Sequence, residues 1–188
     1  MVQVTPLSDP RIRQGDVFRD IDFIEHVTEA DGVLEVSKIT FPLVVVLTQD
    51  CDLEQDFKYR WSGEQKKTQD KWLLSVLVAP LYNAEHVYDG SHLSDVDRKM
   101  EPFPKGQSTR LNFLQNNQIP RYHFLPFPDE VRVVNSVVDF KHYFAVNVET
   151  LKGLAPTRFV CSISPLYRED ISHRFASFLS RIGLPDAT

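Results

Sequence analysis

Two carboxylates flank a thiol at Asp50-Cys51-Asp52, just after the apolar run Leu43-Val44-Val45-Val46-Leu47 and the polar pair Thr48-Gln49. A buried strand ending on such groups sets reactive or ligand-binding side chains at its mouth. Farther along, Arg121-Tyr122-His123 separates a guanidinium from an imidazole by one residue, a spacing that puts both on one face of a strand. Three kinds of chemistry fit these residues. If Arg121 and His123 stand beside Asp50 and Asp52, the arginine binds a phosphate and the histidine moves protons near neutral pH. That division of labour suits RNA cleavage, in which an arginine stabilises charge developing on the phosphate. If Cys51 stands beside His123, the thiol is a candidate nucleophile, although flanking aspartates raise its pKa and reduce its thiolate fraction. If Asp50, Cys51, Asp52 and His123 converge, the donor types suit a metal ion, without the paired spacing such as Cys-x-x-Cys that marks one. A fourth reading needs no catalysis. Asp50 and Asp52 then cap a turn through bonds to the main chain, Cys51 is a small buried hydrophobe, and Arg121 pairs with a carboxylate. The remaining histidines, His26, His86, His92, His142 and His173, read as surface or boundary residues, and no cofactor is expected.

The elements that must carry these groups are bounded by composition. A chain of 188 residues, 42% hydrophobic and 25% charged, fits one globular domain with a sizeable core. The formal charge of −5 excludes a surface that is basic throughout, because phosphate affinity comes from lysine and arginine; only a local basic patch is compatible with nucleic acid. Cys51 and Cys161 are too few for a disulfide framework, and no secretory segment opens the sequence. The five-residue apolar run Leu43–Leu47 is far from membrane-spanning length, so a cytoplasmic protein without a membrane partner is expected.

Read in order, Met1 to Pro10 is an arm, and Asp16 to Phe23 a strand with Asp20 and Asp22 turned outward. Asp31-Gly32 predicts a tight hairpin, followed by Val33, Leu34, Val36 and Ile39. Pro42 opens the Leu43–Leu47 strand, apolar at every position and therefore central, covered on both faces. Two polar excursions, about 53–71 and 83–118, interrupt the pattern. The first, around Trp61, reads as a loop or short exposed helix that is either solvated or a mobile contact through Tyr59, Arg60 and Trp61. Between the excursions a strand from Trp72 is stopped by Pro80. The second holds helical stretches around Ser94–Met100 and Ser108–Gln115, with Arg110 at the surface. Strands are expected at Arg121–Pro126, through Val131–Phe140, at Phe144–Val148 and, after Gly153, at Arg158–Ile163. Ser164 and Pro165 then start a helix whose apolar face is Tyr167, Ile171, Phe175, Phe178 and Ile182, closed by Gly183 with Pro185 beyond.

Three places in this order resemble the PemK/MazF-like toxins. Arg13-Gln14-Gly15-Asp16-Val17-Phe18 is similar to that family's opening Arg-x-Gly-Asp-Ile/Val-aromatic. Pro42-Leu43-Val44-Val45-Val46-Leu47-Thr48 is similar to its Pro-x-x-Val-Leu-Ser strand. Ser136-Val137-Val138, leading through Leu151 to Ser164-Pro165, is similar to its closing strand and terminal helix. The resemblance implies a mainly β fold, an SH3-like partly open barrel with two polar insertions and a C-terminal helix. It also implies metal-free cleavage of single-stranded RNA, homodimerisation and an antitoxin partner. The family's Gly-Arg-Arg/Lys before the proline is replaced here by Lys38-Ile39-Thr40-Phe41, and Asp50-Cys51-Asp52 is foreign to it. That motif, with a downstream Arg-x-His, resembles instead uncharacterised bacterial proteins and brings no activity with it. The expected candidate site is therefore Asp50, Cys51, Asp52, Arg121 and His123 in a toxin-like or defence-associated protein acting on RNA. A non-enzymatic protein- or nucleic-acid-binding module and a metal-dependent hydrolase are the alternatives.

Overall fold

The computed structural model describes residues 2–5, 11–61, 63, 68–103 and 108–181. Its strands are β1 (Val4–Thr5), β2 (Asp16–Ala30), β3 (Val33–Val46), β4 (Ser75–Asn83), β5 (Tyr122–Leu125), β6 (Ser136–Asp139), β7 (Phe144–Asn147) and β8 (Phe159–Ile163). All pairings are antiparallel, in the order β1-β8-β2-β3-β4-β6-β5, and β7 pairs with β4 beside β6. The sheet does not close. Its two ends are joined by one main-chain bond, from Val2 N to Pro126 O just past β5, at 2.8 Å.

The valine run is the middle of this sheet because strand alternation gives it two cores to fill. Val44 and Val46 pack with Phe18, Ile21, Leu114 and Leu151, while Val45 and Leu47 pack with Phe140, Ile171, Phe175 and Phe178. The last three of these come from the helix α5 (Pro165–Leu179), whose buried positions recur at steps of four and three. Pro165 opens that helix, but the Ser164 hydroxyl makes no capping bond; the expected closure at Ile182, Gly183 and Pro185 lies outside the described residues.

The hairpin forms as its turn residues require. Asp31 and Gly32 both take positive φ, 53° and 76°, in a two-residue loop between the paired Ala30 and Val33, as a type I′ turn demands. The strands on either side are much longer than the apolar patterning indicates, and β3 runs without a break through Pro42.

Elsewhere the sequence pattern misleads for identifiable reasons. Pro80 does not stop β4. It falls between the part that pairs with β7, Ser75–Val78, and the part that pairs with β6, Leu81–Asn83, where a missing N–H interrupts neither ladder. Strand is confined to Ser136–Asp139 in the Val131–Phe140 stretch, and Ser94–Val96 is only a 3-10 turn. Between Phe144 and Arg158, where only strand and turn were expected, helix α4 (Val148–Arg158) forms despite Gly153 and Pro156. Asn147 starts it, its side-chain oxygen accepting from Glu149 N and Thr150 N at 3.0 and 3.1 Å. The excursions supply α1 (Asp50–Trp61), α2 (Ala84–Asp89) and α3 (Ser108–Gln115). Among the described residues, no helix is long and apolar enough to cross a membrane.

Candidate functional site

Asp50-Cys51-Asp52 is neither a turn nor the end of a strand; it is the first turn of α1. Past β3, the Thr48 hydroxyl accepts from Leu77 N at 2.7 Å, and the chain turns into the helix with two carboxylates at its positive end. Asp50 is a structural knot. One oxygen meets Arg11 Nη2 at 3.2 Å and Arg168 Nη2 at 3.4 Å, and the other accepts from Gln14 N at 3.3 Å. The Arg-Gln-Gly-Asp motif is locked onto the same place. Gln14 Nε2 donates to Leu47 O at 3.0 Å, and Gly15, at φ +82°, is packed so closely that a Cβ would stand 3.0 Å from Arg168 Cβ. Cys51 is exposed, and its thiol lies 3.7 and 3.8 Å from the side-chain oxygens of Gln49 and Asp52; among the described residues no imidazole makes such a contact with it.

Farther along α1, Asp56 is a buried carboxylate that accepts from Leu73 N at 2.7 Å and from Arg60 Nη2 at 2.8 Å. The Arg60 guanidinium lies 5.1 Å from the Trp61 ring and 4.5 Å from the Trp72 ring. Arg60 and Trp61, expected in a solvated or mobile excursion, are thus anchored to the start of β4.

Arg121 and His123 lie elsewhere, and apart from each other in role. Arg121 grips Asp139 through Nε, at 2.9 and 3.0 Å, and through Nη2; the pairing of Tyr122 with Asp139 between β5 and β6 sets them side by side. His123 points into the second core beside Phe140, ring centroids 6.2 Å apart, and is 2% exposed. Burial, helped by the Arg174 charge, pushes its pKa down to about 3, so it is neutral throughout the physiological range and cannot serve as the expected proton carrier. Helix α5 touches both places through different arginines. Arg168 binds Asp50, whereas Arg174 Nη2 donates to Ile119 O and Tyr122 O at 3.0 and 2.8 Å. The five expected residues therefore divide between two places.

What gathers around Arg121 instead is a line of polar side chains that the sequence pattern did not single out. Asp139 holds Arg121 on one side, and on the other its Oδ2 lies 3.6 Å from His142 Nδ1. The Tyr82 hydroxyl is 3.0 Å from that same nitrogen, and the Tyr82 ring packs against His92 at 4.7 Å and edge-on against Phe41 at 6.3 Å. Register explains the convergence: Tyr82 pairs with Val137 between β4 and β6, and a short 3-10 turn, Phe140–His142, brings the histidine back over the strand. Asp139 caps this turn, accepting from Lys141 N at 3.0 Å.

Burial drives the titration of this group. It holds His142 below its ordinary pKa, opposed by the Asp139 charge, so the ring is neutral at pH 7. Burial first, then Asp139, raises the Tyr82 phenol above its usual value, so it keeps its proton. Two tautomers then give His142 two capacities. With Tyr82 donating to Nδ1, Nε2–H is a donor; with Nδ1–H donating to Tyr82 Oη or turned toward Asp139, Nε2 becomes an acceptor and a general base.

His142 borders a cleft of about 190 Å³ whose wall also includes Tyr82, Phe23, Tyr143, Arg98 and Lys141, with no carboxylate in its lining. It holds about six waters' volume, enough for a phosphate and part of its attached group. Sequence offered one cue to this site, the spacing of Asp139 and His142 on either side of a turn, but the partner Tyr82 lies 60 residues away. Comparison of the chain with family models, with curated proteins and with solved structures returned no match.

Proposed function

We propose that this protein acts on single-stranded RNA at the Tyr82–His142 cleft, as a metal-independent endoribonuclease of toxin-like or defence-associated type. The observation that carries this reading is the 3.0 Å contact of Tyr82 Oη with His142 Nδ1, backed by Asp139 and opening on a cleft lined by Lys141 and by an Arg98 that is paired with Glu25 at 3.3 Å. In cleavage by the RNA's own 2′-hydroxyl, His142 Nε2 takes the hydroxyl proton as the 2′-oxygen bonds to phosphorus, the P–O5′ bond breaks and the 5′-oxygen leaves with a proton from water, while Asp139 stabilises the resulting imidazolium. Lys141 faces the charge that develops on the phosphate, with Arg98 beside it once a phosphate replaces Glu25 as its partner, and the faces of Phe23 and Tyr143 suit an unstacked base. The strand order, with one bond between its two ends, supports regarding the sheet as an SH3-like, partly open barrel carrying the two polar stretches as insertions, the architecture of the PemK/MazF-like toxins.

Incubation with a mixed single-stranded RNA, with and without EDTA, tests the reading. Cleavage is expected to survive the chelator, to fall about 10²-fold or more in His142→Ala, and to slow the growth of a bacterium expressing the wild type. Intact RNA in the wild-type reaction, or full activity in His142→Ala, would overturn it. A second reading is favoured by Lys141 and Arg98 in the cleft lining: a module that holds an RNA phosphate without cleaving it. Binding without cleavage, weakened in Lys141→Ala, would establish that alternative.

A further inference from the structure

Beyond the cleft, the β2–β3 hairpin projects as a two-stranded arm. Strand partners stop early on both sides: β8 pairs with β2 only at Asp16–Phe18, and β4 pairs with β3 only at Val44–Val46. Two strands alone are marginal in water unless an apolar face is covered. Here that face is open. Register sets Val27 opposite Val36, Glu29 opposite Leu34 and Ile24 opposite Lys38, all on the side turned away from Ile39 and Phe41, which line the cleft. Ile24, Val27, Leu34 and Val36 are 49%, 54%, 68% and 54% exposed, one contiguous patch along the ribbon.

The charge around this patch selects its occupant. From Asp22 to Lys38 the arm carries Asp22, Glu25, Glu29, Asp31 and Glu35 against the single Lys38; Asp22 is paired with that lysine at 2.7 Å and Glu25 with Arg98 at 3.3 Å, while Glu29, Asp31 and Glu35 lie toward the tip. A nucleic acid or an anionic membrane is repelled by such a surface. A second copy would set one row of carboxylates against another, which is destabilising for like charges in close register. A basic, apolar protein segment satisfies both properties at once.

We propose that the arm is a docking surface for a partner protein that presents an extended segment alternating lysine or arginine with apolar residues. The apolar residues cover Ile24, Val27, Leu34 and Val36, and the cations meet the arm's carboxylates. The open edges of both strands let the segment add as a third strand.

The test uses the full chain and two labelled ten-residue peptides, one alternating valine with lysine and the other valine with glutamate, followed by fluorescence anisotropy. The lysine peptide is expected to bind, and the glutamate peptide not to. Binding should weaken at least tenfold in the uncharged double variant Val27→Thr/Val36→Thr, whose solvent-facing substitutions keep the β-branched shape and the melting temperature. Binding of the lysine peptide that is absent, or unchanged in the double variant, would overturn the proposal. So would sedimentation showing a dimer of the wild type that the same variant dissociates. The RNA experiment reads His142 and is independent of these outcomes.

Discussion

Asp139, 1% exposed at its side chain, is paired with an Arg121 that is 27% exposed, so the arginine neutralises a charge that water cannot reach. Truncating Arg121 strands that carboxylate, and breaking a buried pair in this way costs about 3–5 kcal/mol. Arg121→Ala should therefore melt well below the wild type in a thermal scan, and Arg121→Ala/Asp139→Asn should recover much of the loss. Equal melting of the single variant and the wild type would show that the pair contributes nothing. A loss of activity in Arg121→Ala alone thus says little about catalysis, and His142 is the better probe.

Two groups of opposite behaviour should shape stability against pH. His123 has its folded pKa lowered to about 3 by burial and Arg174, so the unfolded chain binds the extra proton. Its contribution is present above the unfolded value near 6.5 and is lost as pH falls from there toward 3. Asp16 is the reverse: burial raises it to about 6 despite its bonds to Ser162 and Arg13 N. Its folded form keeps a proton that the unfolded chain releases, so stability falls as pH rises from about 4 through 6. Asp16→Asn should raise the denaturation midpoint more at pH 7.5 than at pH 4, by up to about 3 kcal/mol. A pH-independent effect would contradict the assignment.

Gly15→Ala should be destabilising by about 1–3 kcal/mol, because φ is +82° and the new methyl would meet Arg168 Cβ at 3.0 Å. Chemical denaturation measures it. An unchanged midpoint would mean that α5 can retreat from the turn at no cost.

Cys51→Ser and Asp52→Asn separate the sequence motif from the cleft. Both side chains are exposed on the first turn of α1, so each change should alter stability by less than about 0.5 kcal/mol and leave RNA cleavage within twofold. A large loss of cleavage in either variant, at unchanged melting temperature, would return the active centre to α1. Asp50→Ala, in contrast, removes the carboxylate that Arg11 and Arg168 share and should cost about 1–3 kcal/mol.

The parts of the fold that were legible are those where one local rule acts alone. The Asp31-Gly32 turn, the two-sided burial of Leu43–Leu47 and the 4-3 apolar repeat of α5 each follow from residue type and spacing. The parts that misled involve partners distant in sequence. Pro80 reads as a terminator until β7 and β6 are seen to divide the edge of β4, and α4 is hidden by Gly153 and Pro156 until Asn147 caps it. The candidate site suffered most. Asp50 is conspicuous beside a valine strand, yet its partners Arg11 and Arg168 make it a brace. Arg121 takes a carboxylate 18 residues downstream that sits in an ordinary-looking strand, and Tyr82 lies beyond a proline that seemed to end its element.

The valine run carries a liability with its central position. Because Val44, Val45 and Val46 are alike and buried on both faces, a one-residue slip over this run would exchange one valine for another. Within the run, hydrophobicity therefore does not choose the alignment. Fidelity falls to its ends, where the left-handed pair Asp31-Gly32 fixes one neighbour and the hydroxyl of Thr48, clasping Leu77 N, fixes the other. The valine run takes its alignment from an aspartate, a glycine and a threonine.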